Sequence, residues 1–466
     1  MNTHPTCELG RRDLFRLSAV AGIAVTVGGP ATAGFAAPPT GGGGATPTAH
    51  LNPLHIPPVL STQGPSTLTA GRTKINLGGK DGSALTYDGH FPGPTFVART
   101  GTTASIRVTN SLTEETTVHW HGLVVPTAVD GQPHDAFGVN QSFQYDLPIR
   151  QRAGLSFYHP HPHRATAKQV ALGLQGAFIV RDAEEDALLL PSGDYEVPLV
   201  IRDANLDKMN TLTYNGRASG FLGNTALVNG TLAPYLVVDR AVYRFRVVNA
   251  ANSRLFRLAL SNGASMSLIG TDGGLLPTAV AVSEVLLANA ERLDLLVDLR
   301  GLTAPLFVVD RDSGWSLLEL RPKPAAVTVP FTPPPSQLSV ITPLRDPVRS
   351  RTFTFDGMTK VNGLEYDMNR ISFETPSGVV EKWTFVGNGN PPHPIHVHGA
   401  SFQVVARRGG RNRLFAWEGG WKDTVLLLDK ESVDVLVRFD LKGRYLMHCH
   451  KLEHEDAGMM LNFQVV

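Results

Sequence analysis

An all-β chain of three consecutive β-sandwich domains is the fold class this sequence predicts, and three observations predict it. Short runs alternate apolar and polar residues, as in VYRFRVVN (242–249), RLDLLVDL (292–299) and VDVLVRF (433–439), the period of a half-buried strand. Turn dipeptides such as Asp81-Gly82, Asp88-Gly89, Asn229-Gly230 and Asn362-Gly363 separate such runs, and no long segment holds a helical period. The chain also repeats itself. GLSFYHPH (154–161) matches GRYLMHCH (443–450), HWHG (119–122) matches HVHG (396–399), and SIRVTN (105–110) resembles EKWTFVGN (381–388). VYRFRVVN, SRLFRLAL (253–260) and GLTAPLFVV (301–309) fill the same frame in the middle without a histidine.

The organisation follows in chain order. Arg11 and Arg12 precede an apolar run from Leu17 to Val27, too short for a stable membrane span, with small-residue cleavage sites near Ala31–Ala33 and Ala36-Ala37. Residues 1–37 therefore read as an export signal. The paired arginines resemble those read by the twin-arginine machinery, with a general secretory signal as the alternative, so the mature protein acts outside the cytoplasm. Residues 38–64 read as a flexible leader, 65–185 as the first sandwich, 193–320 as the second, 321–345 as a stiff Pro-rich linker and 346–466 as the third. Net charge is +1 with 18% charged residues, which excludes nucleic acid as a partner.

The chemistry is read from histidine and cysteine. None of the sixteen histidines falls between Arg164 and Pro392, so two ends bear metal and the middle does not. Four pairs have the form His-x-His: His119/His121, His159/His161, His396/His398 and His448/His450. In a strand each pair aims two imidazoles the same way. Eight such ligands exceed the needs of one tetrahedral zinc and indicate a cluster of several ions, placed where the first and third sandwiches meet. Cys449 sits between His448 and His450 and so faces the other side of the strand. It is the single cysteine left once Cys7 departs with the signal, and an unpaired thiol in an oxidising compartment is protected by a metal. With His393, His454 and a weak axial Met459, or Met460 in its place, Cys449 makes the two-His, one-Cys arrangement of blue copper. His134 is read as a loop residue, and His163 as an outlying neighbour of the cluster.

These motifs, HWHG, HPHPH (159–163), HPIHVHG (393–399) and HCHKLEHEDAGMM (448–460), together resemble those of three-domain bacterial multicopper oxidases of the laccase and cuprous-oxidase group. The resemblance runs from about residue 65 to 466. It implies cupredoxin-like Greek-key domains and four copper ions. His393, Cys449, His454 and Met459 would hold type 1 copper, His119 and His396 type 2, and His121, His159, His161, His398, His448 and His450 the type 3 pair. Asp130 and Glu455 match acidic positions that relay protons near the cluster. Leu446 and Leu452 are candidates for the apolar surround of Cys449.

The implied reaction couples one-electron oxidation of a substrate at type 1 copper to reduction of dioxygen to water. The eight methionines form no run, and residues 338–392 leave little room for a Met-rich insertion that would bind Cu(I). A phenolic or aromatic reductant is therefore expected, with Cu(I) or another metal ion as the alternative and a non-catalytic copper-binding or structural role as a third reading. Three domains complete the interdomain cluster within one chain, so a monomer is expected.

Overall fold

The computed structural model describes residues 50–325, 327–388 and 391–466. The expected export signal, Cys7 and the first part of the leader lie outside the described residues. Six sheets form three sandwiches, each closed over its own apolar core. The first packs a five-stranded sheet on a four-stranded one, the second a six-stranded on an eight-stranded one, and the third two of five strands. No described helix is long and apolar enough to cross a membrane, and the longest described α-helix, Thr166–Ala171, has six residues.

The internal repeat has a structural meaning. Strands Thr103–Ser111, Val242–Asn249 and Val380–Asn388 each pair parallel with the strand that opens their sheet: Ser66–Asn76, Glu196–Leu206 and Arg349–Asp356. Each then pairs antiparallel with its other neighbour: Ser142–Pro148, Arg292–Asp298 and Glu431–Arg438. Asn110, next to last in the first, and Asn249, last in the second, serve the following turn. Asn110 Oδ1 accepts from Leu112 N, and Asn249 Oδ1 from Ala251 N, an Asx turn that redirects the chain between sheets. In the opposing sheets, Gly154–His159, Leu306–Asp310 and Gly443–Cys449 each lie between two antiparallel neighbours.

The leader differs from expectation between residues 50 and 64. Asn52–Pro53 adds a parallel edge to Pro234–Val238 of the second sandwich, and Val59–Ser61 adds one to Gly93–Arg99 of the first. His50 fixes the start, with Nδ1 donating to Pro234 O at 2.8 Å. A flexible leader is expected there, but a sheet edge offers unsatisfied backbone groups and tolerates proline. The Pro-rich linker is pinned at several points: Leu338 N donates to Pro277 O, Ser339 Oγ to Glu184, and Leu344 N to Gln403 Oε1.

Short helices lock the sandwiches together. Asp456, at the end of helix Leu452–Asp456, accepts from Thr166 N at 3.1 Å and Ala167 N at 2.9 Å, the first donors of helix Thr166–Ala171. Arg202 of the second sandwich donates to the carbonyls of Val170 (2.9 Å) and Ala171 (2.7 Å) at that helix's other end. Both ends, whose backbone groups have no partner within the helix, are thus satisfied by other sandwiches.

Trp120 lies between the two histidines of HWH and points the other way. It is fully buried and packs against Phe96, Tyr145, Tyr158 and Phe178. Trp120→Ala is expected to destabilise the protein by about 3–5 kcal/mol, read as a lower urea midpoint; an unchanged midpoint would remove this residue from the core argument.

Candidate metal centre

Strand parity builds the site. In the first sandwich His119 pairs with His159, and Trp120 with Tyr158; tryptophan and tyrosine enter the core, so the histidines face outward from it. In the third, His396 pairs with His448 and Ile395 with Cys449. Ile395, Val397, Met447 and Cys449 belong to the core, while His396, His398, His448 and His450 lie on the opposite face. The two histidine faces meet. His119 stacks on His398 with centroids 3.9 Å apart, His121 on His396 at 3.7 Å, and His159 Nε2 lies 3.3 Å from His450 Nε2. All eight are at most 3% exposed.

Hydrogen bonds at the rim fix which nitrogen points inward. His119 Nδ1 donates to Asp130 O, His159 Nδ1 to Pro160 O and His396 Nδ1 to Asp423 O, each at 2.9 Å, and His448 Nδ1 donates to Cys449 O at 3.2 Å. His398 Nδ1 is 2.8 Å from Asp130 Oδ2. His121 is turned over: its Nε2 meets Asp423 Oδ1 at 3.1 Å, leaving Nδ1 inward. His119 Nε2, His396 Nε2 and His121 Nδ1 are buried with no partner among the described residues. Burial, then neighbouring rings, hold His161, His396 and His398 well below the ordinary imidazole range, and the same holds for His121, His159 and His450. Neutral rings with lone pairs turned inward are a donor set for several imidazole-binding cations.

Asp130 and Glu455 both reach these rings. Gly131 has φ +75°, and a Cβ there would stand 1.8 Å from Val118 O, so only glycine fits under the strand. That turn presents the Asp130 carbonyl to His119 and its carboxylate to His398, with Gln132 Nε2 donating to Oδ2 at 3.1 Å. Glu455, fully buried, lies 3.2 Å from His161 Nδ1 and 3.1 Å from His448 Nδ1.

A second group of donors lies on the core side. Cys449 Sγ is 3.4 Å from His393 Nδ1 and 3.7 Å from His454 Nδ1, and the two nitrogens are 3.1 Å apart. Burial pushes the Cys449 thiol up to about 12, so without metal it stays protonated and a cation is needed to hold it as thiolate. Met459 is fully buried in the same core; its N–H donates to His454 O at 2.9 Å and its carbonyl accepts from Cys449 N at 3.1 Å. Met460 pairs with His448 in the neighbouring strand.

Two sequence expectations need correction. Leu446 shares the parity of His448, outside the core that holds Cys449, and Leu452 packs with Ala167 and Val170 of the first sandwich. The apolar surround of Cys449 is instead Ile395, Met447 and Phe355, whose ring is 6.0 Å from His393. The sequence reading also missed Asp423, Thr424 and Arg292 beside His121 and His396. For Asp423 and Thr424 the one signal is the charged pair Lys422-Asp423, one residue before the apolar run Val425–Leu428; Arg292 has none. His134 lies beside Asp135 at 3.2 Å, and His163 against the Tyr366 ring at 5.5 Å.

Burial holds His393 at about 3 and His454 at about 2, against an ordinary 6.5. An unfolded chain takes up protons near pH 6.5 that these folded pockets refuse. The metal-free protein therefore keeps this stability in full above that pH and loses it as pH falls towards 3. Its urea midpoint should drop steadily from neutral pH to about pH 4; a level or rising midpoint would contradict the burial of neutral imidazoles.

Comparison with known proteins places these groups in a family. Residues 69–185 and 333–466 each match multicopper oxidase domains. The chain is 32% identical over 389 residues to a multicopper oxidase of Staphylococcus haemolyticus, covering 82% of this chain and 84% of that one. It is 32% identical over 410 residues to the cell division protein FtsP of Escherichia coli, covering 83% and 86%. The crystal structure of a laccase from Pediococcus acidilactici superposes with a TM-score of 0.84 and 32% identity, over 90% of this chain and 94% of its own. The two family-matched stretches hold all the clustered donors between them, and the chain belongs to the multicopper oxidase family of copper-dependent oxidoreductases.

Proposed function

We propose that this chain oxidises phenolic or aromatic substrates one electron at a time and passes four electrons to dioxygen, forming water, with four copper ions. His393, Cys449, His454 and Met459 would hold type 1 copper. His119 and His396 are assigned to type 2, and His121, His159, His161, His398, His448 and His450 to the type 3 pair. One observation carries the reading: Cys449 lies among two core-side imidazole nitrogens at 3.4 and 3.7 Å, while its neighbours His448 and His450 belong to the separate eight-histidine group. When bound, copper supplies one-electron redox chemistry at the sulfur site and multi-electron reduction of dioxygen at the cluster.

The residues supply the rest. The Cys449 backbone joins the two donor groups by the shortest covalent route. The aromatic and aliphatic core around Cys449 excludes water and so favours the less charged state of the site. Asp130 Oδ1, buried, 3.4 Å from His119 Nδ1 and without a hydrogen-bond partner among the described residues, is the atom assigned to hold a proton on one side of the cluster. The Glu455 carboxylate, between His161 and His448, does so on the other. The N-terminal arginine pair is assigned to twin-arginine export.

Among the described residues methionine forms no run that would collect Cu(I), which favours an organic reductant over the cuprous alternative. The likeness to the cell division protein FtsP supports a different reading, in which the chain binds copper or serves a structural role without turnover. The complete donor set favours the oxidase.

Cys449→Ser is expected to abolish the strong visible thiolate-to-copper absorption and oxygen uptake while far-ultraviolet circular dichroism stays at the wild-type level; surviving blue colour would refute the type 1 assignment. Wild-type protein without oxygen uptake on any reductant would favour the non-catalytic reading. For the substrate, kcat/KM for a methoxyphenol should exceed that for Cu(I) on one preparation, and a strong preference for Cu(I) would reverse the choice.

A further inference from the structure

The middle sandwich carries none of the clustered donors, yet one of its side chains reaches the seam where the histidine faces meet. Arg292 opens strand Arg292–Asp298 and is fully buried. Its Nε donates to Leu155 O at 3.0 Å, on the strand of the first sandwich that carries His159. Nη1 donates to Ala290 O at 2.8 Å and Asp423 Oδ1 at 2.7 Å; Nη2 donates to Asp272 O at 3.1 Å and to Asp423 Oδ2. Asp423 belongs to the third sandwich. Its Oδ1 lies 3.1 Å from His121 Nε2 and accepts from Thr424 Oγ1 at 2.9 Å, and its main-chain carbonyl accepts from His396 Nδ1. One guanidinium thus bonds to all three sandwiches, and one aspartate bonds to a histidine of each metal-facing half.

The rest of the network is closed. Asp272 Oδ1 accepts from Arg292 N at 2.8 Å; its Oδ2 accepts from Lys422 Nζ at 2.9 Å, and Lys422 also meets Glu291 at 3.3 Å. The glycine of HWHG also belongs to this arrangement. At Gly122, φ is +88° and a Cβ would stand 2.7 Å from Arg292 Nη2. The left-handed backbone favours glycine at that position whatever its surroundings, and a side chain there would in addition crowd the Arg292 guanidinium, Ser156 Oγ and Asp423 Oδ2.

We infer that Arg292 and Asp423 are positioning residues for the copper cluster, setting the mutual placement of His121 and His396 across the seam. The inference rests on the copper assignment proposed above. A planar fork holding both carboxylate oxygens fixes the carboxylate plane, and that plane fixes which nitrogen of His121 carries the proton and hence which faces the metal. A lysine ammonium keeps the charge and loses the fork.

The test uses copper-loaded wild type, R292K and the charge-neutral R292Q/D423N, in which no buried charge is left unpaired. Copper per chain, the visible thiolate band and the type 2 electron paramagnetic resonance signal are measured on each. R292K is expected to keep the thiolate band while its type 2 signal shifts in hyperfine splitting or is lost, with copper missing from the cluster. The double variant is expected to behave likewise. A wild-type type 2 signal and full copper content in R292K overturn the inference, since a merely structural tie would leave the signal in place. Should R292K fail to fold, the double variant decides by the same two readouts. A wild type that shows the thiolate band but no type 2 signal would instead sink the cluster assignment itself.

Discussion

His398 Nε2 and His448 Nε2 face each other at 3.1 Å. Each ring has an acceptor for its other nitrogen, Asp130 Oδ2 for His398 and Cys449 O for His448. Two lone pairs in a dry site repel unless a cation lies between them. Ordinary packing does not produce such a surface, because burying imidazole nitrogens without partners, as at His119 Nε2, His121 Nδ1 and His396 Nε2, is unfavourable. The fold must therefore hold the nitrogens together against their own repulsion until metal satisfies them.

That demand accounts for the polar locks between sandwiches. Glu453 accepts from Asn252 Nδ2 at 2.8 Å and Ser253 Oγ at 2.6 Å, tying the helix that carries His454 to the second sandwich. Asp456 and Arg202 hold the two ends of helix Thr166–Ala171. Buried charges of this kind add little net stability over apolar packing, but they lose several kcal/mol when one partner is displaced. They therefore suit a seam where orientation matters more than adhesion. Apolar contact would let the sandwiches slide; paired carboxylates and guanidinium forks admit one register.

Much of this was legible in the sequence, for a physical reason. Period-two alternation and His-x-His spacing are local, and side-chain parity along a strand follows from them directly. Hence the separation of Cys449 from His448 and His450, and the threefold recurrence of the strand ending in Asn110, Asn249 and Asn388, could be read in advance. What stayed hidden depends on contacts between distant segments. Arg292 and Asp423 are 131 positions apart, and nothing near either residue announces the other. Leu446 is near Cys449 in sequence but not in surroundings, because parity along the strand sends it to the opposite face. The strands at Asn52–Pro53 and Val59–Ser61 were missed because edge pairing is a property of the sheet that receives them.

The same parity separates two tasks that would otherwise interfere. Cys449 lies in the core with Ile395, Met447 and Phe355, so the packing on its side of the strand is set by apolar side chains of one sandwich, and Lys451 N donates to its sulfur at 3.4 Å. His448 and His450, one residue away on either side, lie in the polar seam, where carbonyls and carboxylates set ring orientation. A change such as Phe355→Leu alters the surround of the sulfur group without touching a hydrogen bond of the cluster. A change at Asp423 does the reverse. One strand, Gly443–Cys449, serves both environments because its two faces are solvated by different sandwiches' atoms, and the covalent path between them is three consecutive residues that packing on either side cannot lengthen.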